Sequence, residues 1–348
     1  MAEKKELQLS SYDYYLPTNL IAQRPLRKRD HSRLMIIYRD TGAKEHRFFY
    51  ELPSILQPGD MLVLNDTKVI PARLYGTRKD TGGKAEILLL EKTREDREEW
   101  KCMIKPGKHN RPGISFLLAE SVEAEVKKQV GEGYGNVEFH TANNFKEWLH
   151  RAGNMPLPPY IKEGVEHREE YQTVYSSQEG SVAAPTAGFH FTPHLLNKLK
   201  EQAIQTVYLT LHVGPGTFLP VKTEDIRNHQ MHREYFFLPP SSAEKINQAK
   251  SEGRRVIAVG TTSCRVLETM AIDRGKVDSG KSWTELFIYP GYQFKIINGL
   301  LTNFHLPRST LLMLVSAFAG RQLILEAYQE AVEQGYRFYS FGDATLIL

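Results

Sequence analysis

Cysteine is nearly absent, with two in 348 residues, Cys102 and Cys264. That excludes a disulfide framework or a cysteine-based zinc site and fits a reducing compartment. No apolar run reaches the roughly 18 residues that a membrane span needs. The longest, STLLMLVSAFAG at 309–320, reads as a buried helix. The opening MAEKKELQLSSYDYYLP has mixed charge and no apolar core, so no secretory leader is expected. The expected location is the cytoplasm. Repeats and low-complexity tracts are missing too. No Gly-x-Gly-x-x-Gly follows the first strand of an α/β unit, which argues against a dinucleotide site. The run His229-Gln-Met-His232-Arg-Glu234 lacks standard zinc spacing, so no metal is expected.

What is present describes an ordinary globular chain, with 41% hydrophobic and 25% charged residues. Its length suits two domains. Net charge is +4 and the sequence pI about 8.8, a mild basic balance. Arg24, Arg27, Lys28, Arg29 and Arg33 fall within ten residues, and Lys101, Lys105, Lys108, His109 and Arg111 within eleven. Such clusters are phosphate-contact candidates or, more blandly, solvated loop charge.

In chain order, a short helix at 19–23 stops before Pro25, and a basic turn leads into a strand at 33–38. MLVLNDTKVIPARLYG at 61–76 reads as two strands around the Asn65-Asp66-Thr67 turn. Short strands bounded by glycine, proline and charge follow up to about Trp148, the pattern of a small barrel. GEGYGN at 131–136 reads as a hairpin. After the proline-rich linker GNMPLPPYI at 153–161, strands alternate with helices, which implies a mixed, largely parallel sheet. Ser241-Ser242-Ala243-Glu244 reads as a capping box, 263–268 as a helix, 309–334 as two helices and 337–344 as a last strand. The expected fold class is therefore α/β. Residues 1–58 and 152–348 form a sheet domain, and 59–151 an inserted small antiparallel β-barrel.

Ser181 to Phe218 is the densest stretch for chemistry. SVAAPTAGFHFT and LHVGPGTF crowd small residues, prolines and single histidines together. Pro185 to Gly188 forbid a regular helix and let a ligand lie close to the backbone. Thr186, His190, Thr192, His212 and Thr217 supply donors, acceptors and titratable groups. The strand 206–213 runs into Gly214-Pro215-Gly216, and strand ends of this kind bind ligands in open α/β sheets. Gly260-Thr261-Thr262-Ser263 lies between a strand and a helix, where backbone N–H groups favour a carboxylate or phosphate. For any single histidine, a satisfied core residue is the competing reading.

Together these blocks closely resemble the S-adenosylmethionine:tRNA ribosyltransferase-isomerase family of queuosine biosynthesis. The likeness runs along almost the whole chain. Matching motifs include Gln23-Arg24-Pro25, Arg29-Asp30, Ser32-Arg33, Asn65 to Lys68 with Arg73, Ala183 to Thr192, and His212 to Phe218. His229, His232 and Glu234 follow, then Gly260 to Thr262 with Arg265 and Glu268, Tyr289 to Gly291, Thr302 to Pro307, and Gly342-Asp343. Phe189 stands where leucine is usual in the family, and Asn298 where aspartate is common.

The resemblance implies transfer and isomerisation of the ribosyl part of S-adenosylmethionine onto 7-aminomethyl-7-deazaguanine at the tRNA wobble position. Epoxyqueuosine forms, and adenine and methionine leave. S-adenosylmethionine is then a consumed co-substrate, and no resident cofactor is expected. His190, His212 and His232 are candidates for base or acid, with Glu234 or Asp343 orienting. Candidate substrate contacts are Asn65, Asp66, Lys68, Thr186, Gly188, Thr192, Gly214, Gly216, Thr217, Gly260, Thr261, Thr262, Arg265, Asn303 and His305. Candidate tRNA contacts are Arg24, Arg27, Arg29 and Arg33. A monomer is expected. The rival readings are an S-adenosylmethionine-dependent tRNA methyltransferase and a non-enzymatic RNA-binding module.

Overall fold

Strand pairing follows the hydrophobic pattern closely. A computed structural model of the chain describes residues 6–107, 110–131, 133–142, 144–164, 167–214, 216 and 220–348. Its largest element is a nine-stranded sheet. The strands lie in the order Gly280–Thr284, Glu234–Leu238, Gln205–Leu211, Met61–Asn65, Val256–Val259, Gly299–Asn303, Ala344–Ile347, Arg33–Ile37 and Lys44–Phe48. The middle block, from Gln205–Leu211 to Gly299–Asn303, is parallel throughout. Antiparallel pairings flank it, so the sheet is mixed.

Met61–Asn65 falls inside the range 59–151 that the sequence reading gives to the insert. Its residues are buried without exception, MLVLN, and a strand apolar on both faces belongs in the middle of a covered sheet. There it pairs with Gln205–Leu211 and Val256–Val259. One face of the sheet packs Leu34, Leu62, Leu64, Ile257, Val259, Leu301 and Leu346 against Phe49, Phe191, Leu195 and Leu199. Fully burying each such aliphatic side chain stabilises the fold by about 1.5–3 kcal/mol.

Contacts divide the chain into two compact units. The larger runs to Thr67 and includes Pro159–Gln178 and Ala184–Leu348. The smaller comprises Lys68–Pro158 and Glu179–Ala183. The smaller unit is a closed antiparallel barrel of Tyr134–His140, Glu99–Lys105, Lys84–Lys92, Arg73–Arg78, Ser115–Leu118 and Glu123–Gln129. Closure leaves no free edge, and alternate residues such as Ile87, Leu89, Cys102, Ile104, Val126 and Val137 fill the interior. Glu123–Gln129 and Tyr134–His140 pair antiparallel on either side of the glycine-rich turn read as a hairpin.

Several local expectations shift. The helix expected at 19–23 is a single 3-10 turn, Thr18–Leu20. The expected capping box lies inside the helix Pro240–Ser251, which opens after Pro239 with no side-chain cap, because proline at its first position needs no N–H partner. The strand expected at 337–344 begins only at Ala344, and the helix expected from Ser263 begins at Gly260. Among the described residues no single helix is long and apolar enough to cross a membrane. The apolar helix Thr310–Ala319 breaks at Gly320, and the following helix, Arg321–Glu333, leaves at 115°.

Candidate active site

Strand direction decides what meets at one edge of the large sheet. Met61–Asn65, Gln205–Leu211, Val256–Val259 and Gly299–Asn303 all end there. Glu234–Leu238, Ala344–Ile347 and Arg33–Ile37 begin there. Asn65, His212, Gly260, Asn303, Glu234, Asp343 and Arg33 therefore share one edge of the molecule's main sheet. Ligands of α/β folds bind outside the carboxyl ends of parallel strands for this reason.

A cleft opens at this edge. Pro185, Thr186 and Ala187 line it, with Gly260, Thr261 and Thr262 at the start of the helix Gly260–Thr269, and Asn303, His305, Tyr339 and Ser340 opposite. The free space amounts to about 520 Å³, counting the part open to solvent. Tyr339 holds φ +73°, strained for a bulky side chain. The Ser340 hydroxyl next to it is hydrogen-bonded to the Tyr160 hydroxyl. The Thr262 hydroxyl is buried without a partner among the described residues.

Asn303 is the hub of the cleft. Its amide oxygen accepts from the Thr186 hydroxyl at 3.2 Å, and its amide nitrogen donates to His190 Nε2 at 3.1 Å. With Nε2 accepting, His190 Nδ1 carries the proton and donates to Ser32 Oγ at 2.7 Å. The ring stacks on Phe49 at 4.9 Å. Burial, with Arg337 and Arg29 nearby, holds the His190 pKa down at about 3. Both ring nitrogens are engaged, so in this structure His190, an acid–base candidate from the sequence, orients Asn303. His305 is likewise buried, its pKa pushed down to about 3. Its Nε2 lies 3.2 Å from Thr302 Oγ1.

A second polar group surrounds His212. Thr67 Oγ1 lies 2.8 Å from its Nδ1, and Tyr235 stacks beneath the ring at 6.0 Å. Burial lowers the His212 pKa, with Asp66 partly opposing, so the ring is neutral near pH 7. Asp66 accepts from the Thr210 hydroxyl at 2.7 Å and the Ser177 hydroxyl at 2.9 Å. Asn65 is not available to a substrate. Its side chain is buried and clamps the N–H groups of Thr67 and Leu211 and the Leu211 carbonyl.

Glu234 and Arg265 form a buried ion pair. Arg265 Nε also donates to the Leu286 carbonyl at 3.0 Å, and Glu234 accepts from the Gly214 N–H at 3.0 Å. Through these contacts Glu234 ties Arg265 to the loop at Gly214. Asp343 accepts the backbone N–H groups of Arg33 at 2.9 Å and Arg337 at 2.8 Å, so it fixes a strand start. Thr192 caps the helix Pro193–Glu201 through the Leu195 N–H and donates its hydroxyl proton to Asp30 at 3.1 Å, a structural role. Asn298 accepts from Lys250 and the Val256 N–H, also structurally.

Two glycines answer to close packing. A Cβ on Gly188 would strike the Tyr175 hydroxyl, and one on Gly216 would come within 2.5 Å of the His232 ring. His232 is exposed against that loop. Lys68 lies in the smaller unit and pairs with Glu179 at 3.3 Å. Thr217, with Pro215 and Phe218, lies outside the described residues, as do Lys108 and His109.

The basic loop divides. Arg29 donates to the carbonyls of Gln172 and Glu169 at 2.6 and 2.7 Å. Arg33 donates to the Gln334 carbonyl and lies 3.6 Å over the Tyr336 ring. Both are committed to the fold, which corrects their reading as tRNA contacts. Arg24, paired with Glu163 at 2.9 Å, and Arg27 are exposed. Sequence reasoning left Ser32, Thr67, Tyr339 and Ser340 out of the site. For the last two, the adjoining Gly342-Asp343 was the available cue.

A cleft of hydroxyl and small side chains, built on converging strand ends with neutral histidines beside it, defines an α/β enzyme acting on a small polar ligand. Comparison with known proteins narrows the class. A family model described as queuosine biosynthesis protein matches residues 9–347, and the chain belongs to that family. It is 53% identical over 342 residues, 98% of this chain and 99% of the other, to the S-adenosylmethionine:tRNA ribosyltransferase-isomerase of Natranaerobius thermophilus. It is 52% identical over 343 residues, 98% and 100% of the two chains, to that of Desulfitobacterium hafniense. A crystal structure of the S-adenosylmethionine tRNA ribosyltransferase from Thermotoga maritima matches with a TM-score of 0.56 and 39% identity. That match covers 97% of this chain and 100% of the other. These names describe ribosyl transfer, not methyl transfer.

Proposed function

We propose that the chain is an S-adenosylmethionine:tRNA ribosyltransferase-isomerase. It moves the ribosyl moiety of S-adenosylmethionine onto 7-aminomethyl-7-deazaguanine in the tRNA wobble position, forms epoxyqueuosine, and releases adenine and methionine. The observation that carries this reading is identity above one half, along 98% of the chain, with relatives so named. S-adenosylmethionine is consumed, with no resident cofactor or metal, and the protein acts in the cytoplasm as a monomer.

The sulfonium acidifies the neighbouring ribose carbon, so one base starts the sequence and one acid helps adenine depart. His212 is our assigned base. The Thr67 hydroxyl, 3.5 Å from the Gln178 carbonyl, donates to that carbonyl and accepts from His212 Nδ1–H, leaving Nε2 to take the proton. His232, exposed on the adjoining loop, is the assigned acid. Thr186, Thr261 and Thr262 line the substrate cleft, and the amide groups at the start of Gly260–Thr269 face an anionic group of the ligand.

The test follows the bonds that break. Given S-adenosylmethionine and tRNA bearing the aminomethyl base, the purified protein releases adenine and methionine in equal amounts, and a chelator leaves the rate unchanged. tRNA with guanine at that position does not react, for want of the amine. S-adenosylhomocysteine in place of adenine overturns the reading.

A further inference from the structure

The edge strand Gly280–Thr284 and its neighbour Glu234–Leu238 pair antiparallel and set Tyr235 opposite Trp283 and Phe237 opposite Lys281. Alternation turns Phe236 and Leu238 inward, where both are fully buried. The outward positions therefore carry Tyr235, Phe237, Lys281 and Trp283, with Arg233 just ahead of the strand. Trp283 keeps 39% of its surface exposed. Its ring meets Tyr235 edge-on at 5.5 Å, and Arg233 lies 4.4 Å over it. Lys281 lies 5.4 Å over Phe237. The charged side chains at these positions are cations.

Cross-strand aromatic pairs stabilise many β-ribbons, and that accounts for Tyr235 touching Trp283. It does not account for a tryptophan left open on an edge strand between cations. Nor does it account for the direction of the ladder, which continues from Trp283 through Tyr235 to His212, stacked at 6.0 Å and tied by its N–H to the Tyr235 carbonyl at 2.9 Å. Aromatic and cationic side chains displayed on an open sheet face are how proteins hold unpaired nucleotides: rings stack on bases and cations meet phosphates.

We infer that the outward face of this ribbon is the stacking surface for unpaired bases of the RNA substrate, placing the strand beside His212. The inference rests on the tRNA reading above and names the part of the protein that carries the RNA. Trp283 stacks on a base, and Arg233 and Lys281 meet the flanking phosphates.

A short RNA hairpin with an unpaired loop is the probe, followed by tryptophan fluorescence and by titration at several salt concentrations. Of the three tryptophans, Trp148 is 1% exposed and Trp100 packs against the barrel core, so Trp283 reports the surface. RNA quenches the wild-type signal. Trp283→Ala abolishes that quenching and weakens RNA binding about tenfold, while Trp283→Phe keeps the affinity. The double variant Arg233→Glu, Lys281→Glu binds weakly and with a flatter salt dependence. S-adenosylmethionine binding and melting temperature stay at wild-type values throughout. Unchanged affinity in both Trp283→Ala and the charge-reversed protein overturns the inference, as does loss of affinity that only follows loss of folded protein. Wild-type protein that binds RNA through this face yet releases no adenine would instead sink the reaction assignment and leave the surface standing.

Discussion

Replacing His190 with alanine separates a structural histidine from a catalytic one. The variant loses a buried ring stacked on Phe49 and strands two partners, the Ser32 hydroxyl and the Asn303 amide. Truncating a buried aromatic costs about 3–5 kcal/mol, and each orphaned polar group about 1–3 kcal/mol. The terms overlap, so the expected loss is about 4–6 kcal/mol. A pH signature accompanies it. The native pKa is about 3, against 6.5 for a free histidine. As pH falls below 6.5 the unfolded chain binds a proton that the native state refuses, so stability drops by about 1.4 kcal/mol per pH unit for each such histidine. His305, also near 3, contributes equally in wild type and variant. Urea titrations between pH 7.5 and 5 should therefore show a shallower acid decline in His190→Ala, by about 2 kcal/mol over the range. Unchanged urea midpoints with lost turnover, or an unaltered acid slope, would refute the argument.

Further outcomes follow from the same geometry. Arg265→Met leaves the Glu234 carboxylate buried without its cation and should cost about 3–5 kcal/mol in thermal or chemical melts. Arg265→Lys should restore little of it, because one ammonium cannot reach both Glu234 and the Leu286 carbonyl. His212→Asn should lower turnover about 100-fold or more at little cost in melting temperature. Thr67→Val should shift the pH–rate profile while a substantial rate survives. An unmoved profile in Thr67→Val would detach that hydroxyl from the chemistry.

Much of this protein is determined by its sequence alone, wherever the signal is local. Alternating short strands declared the barrel, because each inward side chain must be apolar in a closed sheet. MLVLN, apolar at four successive positions before Asn65, declared a strand, but its place in the middle of the large sheet rather than in the insert came from the tertiary pairing. The crowding of glycine, proline and histidine at 183–192 and 212–218 declared the site region, since those stretches break regular elements and bring polar groups close to the backbone. What only the tertiary structure decided is which polar groups are already satisfied. His190 and His212 look alike in the chain, yet Asn303 and Ser32, 113 and 158 residues away, occupy both nitrogens of the first. Among the described residues, Thr67 holds one nitrogen of the second. Arg29 and Arg33 look like Arg24 and Arg27 until the carbonyls of Gln172, Glu169 and Gln334 arrive beside them. A side chain's chemistry depends on its partners, and in a sheet where Arg33 pairs with Asp343 across 310 residues those partners are set by strand order.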